Sequence, residues 1–225
     1  MGFNVILMGG TGLVGSTVLR ALLDSVRCDH VVMVNRREVN LAETAGTSQV
    51  RQVVLDMDAA DFESRIQDLA SACMADGSTW CGVSCIGIGK GSQKWSDEDI
   101  KKLEIGLVGT FARGCLAGGI QVFGLLSAAG SSSKSNVRYA RIMGGKEEAV
   151  RSVGFRRLAI FRPGIIAGNA HTPSALAWLG RLIPGPFGTI DQEEIGRAFV
   201  GEFLRGGDGL TILGNSAIKV RSRGR

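Results

Sequence analysis

The residues with the clearest chemistry lie near the N-terminus. In "LMGGTGLVGSTVLRALL", Gly9, Gly12 and Gly15 recur three apart, between an apolar run and an amphipathic one. A dinucleotide brings its pyrophosphate close to backbone N–H groups at the positive end of a helix, and a β-carbon on the turn would block that approach. The turn from Gly9 through Thr11, Gly12, Leu13 and Val14 to Gly15 is therefore a candidate pyrophosphate site, and its place between a strand and a helix favours that reading over a merely tight bend. The next strand, "VVMVN", runs into Asn35, Arg36 and Arg37. An acid roughly twenty residues beyond the glycines would hold a free ribose 2′-hydroxyl, whereas a 2′-phosphate needs a cation. With no acid there, Arg36 and Arg37 favour NADP(H) over NAD(H) through charge-assisted hydrogen bonds. The competing reading is a pair of solvated arginines at the end of a strand.

Elements that could position these residues alternate along the chain. "FNVILMG" reads as a buried strand, and "GLVGSTVLRALLDSV" as a helix with Leu13, Val14, Val18, Leu19, Leu22 and Val26 on its apolar face. "VVMVN", "VRQVVLD", "TWCGVSCIG", "IQVFGLLSA" and "FRRLAIFRPG" read as further strands. "DAADFESRIQDLASACM", "DEDIKKLEIGLVGTFARGCLAG" and "VRYARIMGGKEEAVRSV" read as helices, the first two opening near acids that suit a helix start. This rhythm predicts an α/β fold, a doubly wound parallel sheet of Rossmann type, as one domain over 1–225. Residues 165–225 form its small substrate-side and C-terminal part: a short helix and loop, an amphipathic helix in "DQEEIGRAFVGEFLRGG", a closing strand in "LTILGNSAI" and a loose basic tail. Asp56, at the end of the third strand, and the adjoining Met57 are placed for the adenine. Ile86, Gly87 and Ile88, leading to Gly89 after the fourth strand, would pass under the adenosine.

Composition removes several function classes. The net charge of +5 comes from dispersed basic residues without an RNA or DNA motif, so no nucleic-acid partner is expected. Five cysteines without a Cys-x-x-Cys pair fit reduced intracellular thiols, and His30 and His171 are too isolated for a zinc site. No apolar run reaches the ~20 residues of a membrane helix. The first strand begins at Phe3, which predicts no cleavable signal or transit peptide and an intracellular, cytoplasmic protein.

Further along, "FGLLSAAGS", "RYARIMGGKEEAV" and "AIFRPGII" follow "GGTGLVGS" and "NRR" in an order that resembles the short-chain dehydrogenase/reductase superfamily, in its atypical Tat-interacting-protein-like branch. The resemblance spans about Val5 to Gly164. It implies Ser127 and Tyr139 as the catalytic pair: Tyr139 would give a proton to the alkoxide formed by hydride transfer, and Ser127 would hydrogen-bond the substrate oxygen. It also implies that Pro163 and Gly164 turn the chain so that Ile165 and Ile166 face the nicotinamide amide. Some members of this branch associate with mitochondria. The family's lysine four residues after the tyrosine is here Met143, and Lys146 lies seven residues on, ~10 Å along a regular helix. Gly144 and Gly145 could permit a bulge that brings Lys146 back to Tyr139, or simply let the helix pack closely. His171 reads as a polar loop residue. Sugar-nucleotide epimerase chemistry is disfavoured, because too few residues follow Gly164 to build a second subdomain. The leading expectation is an NADP(H)-dependent reductase of a small carbonyl compound with an altered triad; the alternative is a non-catalytic, nucleotide-dependent module that binds a protein partner.

Overall fold

A computed structural model describes residues 2–41, 47–88, 95–167 and 185–224; Gly89 and His171 lie outside the described residues. The strands are β1 (Phe3–Met8), β2 (Cys28–Asn35), β3 (Val50–Val54), β4 (Trp80–Ser84), β5 (Val122–Leu126), β6 (Arg157–Arg162), β7 (Ile165–Ala167), β8 (Thr189–Asp191) and β9 (Gly209–Gly214). The helices are α1 (Leu13–Leu23), α2 (Phe62–Met74), α3 (Asp97–Lys101), α4 (Val108–Ala117), α5 (Arg138–Arg151), α6 (Gln192–Arg205) and α7 (Asn215–Arg223), with a π-helical turn, Lys102–Leu107, joining α3 to α4.

Seven strands form one parallel sheet in the order β3-β2-β1-β4-β5-β6-β9. Alternate residues of β1 feed opposite faces: Val5 and Leu7 join the core under α1, α6 and α7, while Ile6 and Met8 join the core under α2, α4 and α5. A strand buried on both sides has no polar face, which is why "FNVILM" is almost wholly apolar. The chain winds outward in one direction from β1 to β3 and in the other from β4 to β9. The reversal opens a crevice beyond the C-terminal ends of β1 and β4, where α/β folds bind their ligands.

Several sequence expectations are corrected. β3 stops at Val54, so Asp56 stands in the loop beyond it rather than closing the strand. Val26 lies past the end of α1 and is 95% exposed. The acid-initiated helix is three consecutive pieces, with the π turn in the middle. The closing strand ends at Gly214, and the supposedly loose tail continues as α7, with Ile218 in the core. Asn215 fixes this change of direction: its buried amide accepts the Gly164 N–H (3.1 Å) and donates to the Gly188 carbonyl (2.9 Å). Of the segment expected to form a short helix and loop after Gly164, residues 168–184 lie outside the described residues; its flanks pair as the parallel strands β7 and β8. The amphipathic helix α6 is as predicted, started by a reciprocal capping box between Asp191 and Glu194.

Candidate functional site

The glycine turn is built for close approach. Gly9 has φ +86°, and a β-carbon there would lie 2.8 Å from the Cys85 carbonyl carbon and the Ile86 nitrogen. At Gly15 it would lie 1.9 Å from the Gly9 oxygen, so only glycine lets α1 pack on the turn that precedes it. Gly12 is the N-cap of α1 and offers no side-chain acceptor, which leaves first-turn N–H groups for an external anion. Leu13 is 47% exposed at this helix end, whereas Val14 points into the core.

A cleft of about 540 Å³ opens beside the turn, lined by Gly9, Thr11, Val34, Asn35, Arg36, Arg37, Val39, Met57 and Ile86. Thus the turn, the end of β2, the loop after β3 and the loop after β4 meet around one space, with two exposed cations and no carboxylate in its lining. Asn35 does not reach outward. Its amide donates to Gln52 Oε1 (3.0 Å), which also accepts the Val39 N–H (3.1 Å), while Gln52 Nε2 donates to the Val39 carbonyl (2.8 Å). These bonds brace residues 36–39 and so present the arginines. A second cleft of about 600 Å³ adjoins the first, shares Arg36 and Met57 with it, and is also walled by Trp95, Lys102 and Arg113. Asp56 turns to its own loop, its carboxylate accepting the Asp58 N–H at 3.0 Å, and it is absent from both linings. In the second cleft the Lys102 ammonium, 2.7 Å away, holds the Asp58 carboxyl below its ordinary range, with a smaller contribution from Arg36. A dinucleotide fits this arrangement: Gly12 leaves the first-turn N–H groups of α1 uncovered for a pyrophosphate.

The half that carries Ser127 and Tyr139 is organised differently. α5 runs unbroken through Gly144 and Gly145, so the bulge that could carry Lys146 to Tyr139 does not form. The glycines serve contact instead: a β-carbon at Gly144 would lie 2.0 Å from the Ser133 nitrogen, and one at Gly145 2.8 Å from Ile105 Cδ1. Lys146 is 1% exposed and its ammonium donates to the Ile86 carbonyl (2.6 Å) and to Glu104 Oε2 (2.9 Å). Glu104 Oε1 in turn accepts the Ile88 N–H at 2.9 Å. Met143 is buried, and Tyr139 is 38% exposed. Crowding around the Tyr139 hydroxyl, aided by the Glu104 carboxylate, pushes its pKa up to about 12, opposite to what a neighbouring ammonium would do.

Ser127 follows β5 and is buried, its Oγ donating to Glu147 Oε1 at 2.6 Å and lying 3.0 Å from the Ser131 hydroxyl. Arg162 donates to both oxygens of Glu147, at 2.8 and 2.5 Å. A hydroxyl has one proton to give, and this one is given to Glu147. Pro163 and Gly164 fold the chain back, but the Ile165 N–H donates to the Gly188 carbonyl (3.2 Å) and Ile166 pairs with Ile190 across β7 and β8. The Ile165 donor expected to face a nicotinamide amide is therefore committed inside the protein. Sequence reasoning missed Gln52, Glu104, Glu147, Arg162 and Asn215. Each acts on a partner distant in the chain, and only the turn of π helix around Glu104 marks itself locally, since such turns gather at functional sites.

No family model matches the chain. It is 30% identical over 233 residues to "Protein fmp52, mitochondrial" of Aspergillus fumigatus, with 96% of each chain covered. It is 25% identical over 226 residues to "Protein HTATIP2" of Rattus norvegicus, covering 96% of this chain and 87% of that one. Among solved structures, WbmH of Bordetella bronchiseptica in complex with NAD+ is similar at a TM-score of 0.66 and 15% identity, over 94% of this chain and 75% of that one. The oxidoreductase ylbE of Lactococcus lactis is similar at a TM-score of 0.62 and 14% identity, over 97% and 94%.

Proposed function

The chain belongs to the atypical short-chain dehydrogenase/reductase superfamily, in the branch that holds fungal fmp52 and HTATIP2, and on that premise we propose that it binds NADP(H) at the β1–α1 turn. The observation that carries this reading is the 540 Å³ cleft, where Arg36 and Arg37 stand beside the glycine turn and no acid competes for a ribose hydroxyl. Bound NADPH would supply a hydride. The chain's own residues would bind the phosphates through α1 N–H groups, hold the 2′-phosphate between the arginines, and offer the Tyr139 proton to a small carbonyl substrate. Because Lys146 and the Ser127 proton are engaged elsewhere, that chemistry is slow. The mitochondrial designation of the fungal relatives supports association with mitochondria. Among the described residues, no helix is long and apolar enough to cross a membrane.

Calorimetric titration of NADPH and NADH into the wild type and Arg36→Ala/Arg37→Ala tests the cofactor reading. NADPH binding at least ~10-fold tighter than NADH, about 1.4 kcal/mol, with the preference lost in the double variant, is the expected result; binding of neither nucleotide overturns it. A second reading is favoured by the internal engagement of Lys146 and Ser127: nucleotide occupancy orders the protein for a partner protein, without turnover. Turnover of generic quinones and aldehydes by wild type, abolished in Tyr139→Phe, would exclude this second reading.

A further inference from the structure

Among the described residues Lys146 and Glu104 form an ion pair with each side chain 1% exposed. Removing two charges from water is costly unless every remaining donor and acceptor is used, and here the surplus bonds all go to one loop. Lys146 takes the Ile86 carbonyl at 2.6 Å, and Glu104 takes the Ile88 N–H at 2.9 Å. The loop is pinned at its start as well, where the Cys85 N–H donates to the Met8 carbonyl at 2.9 Å. Ile86 lines the cleft beside the glycine turn, and its nitrogen is so near Gly9 that a β-carbon on Gly9 would collide with it.

Two local features make the pair geometrically available. The π turn adds a residue to the helix between α3 and α4, and Glu104 within it is fully buried rather than on the solvent side. Gly145 removes the β-carbon that would meet Ile105 of the same turn, so α5 can approach closely enough for Lys146 to span to Glu104. One chain of contacts therefore runs from α5, through Lys146 and Glu104, to residues 86–88 and on to the glycine turn.

We propose that Lys146 and Glu104 are positioning residues for the dinucleotide: together they hold residues 86–88 against the phosphate-binding turn and tie that loop to the helix that carries Tyr139. The proposal rests on the NADP(H) reading of the cleft. The lysine on this helix thus serves the cofactor's loop rather than the tyrosine.

The test uses the full chain with Lys146→Met, Lys146→Arg and the neutral pair Glu104→Gln/Lys146→Gln, the last covering the case in which a lone buried charge prevents folding. NADPH affinity is measured by calorimetry well below each variant's melting temperature, together with hydrogen exchange at the amides of residues 86–88. Lys146→Met, or the neutral pair if the single variant does not fold, should bind NADPH at least ~10-fold more weakly and expose those amides, with partial recovery in Lys146→Arg. Affinity within twofold of wild type in a folded variant, even with a lowered melting temperature, overturns the proposal and leaves the pair a packing feature. Failure of the wild type to bind either nucleotide overturns the cofactor reading and this proposal together, so the two failures are distinguishable.

Discussion

The two halves of the sheet treat their polar residues in opposite ways. Around β1, β2 and the loops after β3 and β4, backbone N–H groups and two arginines face an open cleft, and side chains such as Asn35 and Gln52 work behind them as braces. Around β5, α5 and β6, Ser127, Glu147 and Arg162 satisfy one another inside the protein. The first half is organised to receive something, and the second to hold itself together. The first arrangement depends on a local backbone turn, and the second on side chains brought together from several segments.

The comparison breaks most visibly at Gly15. Gly15→Ala would place a carbon 1.9 Å from the Gly9 oxygen, so the turn or α1 must move. A stability loss of about 3 kcal/mol and NADPH binding too weak to detect are expected by urea unfolding and calorimetry; near-normal binding would mean the turn does not hold the phosphates. Glu147→Ala probes the other half. It leaves Arg162 without its carboxylate and Ser127 without its acceptor, which should cost about 3 kcal/mol while leaving NADPH affinity within about twofold. A large affinity loss in that variant would erase the distinction between the halves. Gln52→Ala should act more gently: about 1–2 kcal/mol of stability and a several-fold narrowing of the NADPH over NADH preference, as residues 36–39 lose their brace.

The same contrast explains what could be read from the sequence. The glycine triplet, the strand that runs into Arg36 and Arg37, and the alternation of apolar strands with helices are short-range patterns, and the sheet and cleft follow from them. The resemblance named Ser127 and Tyr139 but gave no sign of Glu147, 20 residues from Ser127, or of Glu104, 42 residues from Lys146. Gly144 and Gly145 have low helix propensity, yet α5 stays continuous, since their value is the closeness of the Ser132, Ser133 and Ile105 contacts. Of the two outcomes open to this glycine pair, a bulge or close packing, the structure shows close packing, and the irregular turn lies in the opposing helix around Glu104. α7 was hidden by its polar, arginine-rich sequence; it is held by Ile218 in the core and by the buried Asn215, neither of which forms a helical pattern alone.

The smallest expected effect on nucleotide binding belongs to Tyr139→Phe, and it separates binding from chemistry. Tyr139 lines neither cleft, so NADPH affinity should be unchanged within about twofold, whereas any turnover of a carbonyl substrate should disappear. Its pH behaviour gives a second readout. The phenol titrates near pH 10 in an unfolded chain and at about 12 in the folded protein. Between those values the unfolded state has lost the proton that the folded state retains, so the tyrosine's contribution is intact below pH 10 and falls as pH rises toward 12. The phenylalanine variant has no such proton and should gain on the wild type in that window alone. Because Tyr139 is the one tyrosine in the chain, phenolate absorbance follows this titration without interference from another tyrosine. Glu104→Gln should lower its midpoint by removing the nearby negative charge, while a midpoint at the ordinary value in the wild type would show that the hydroxyl is neither crowded nor within reach of Glu104.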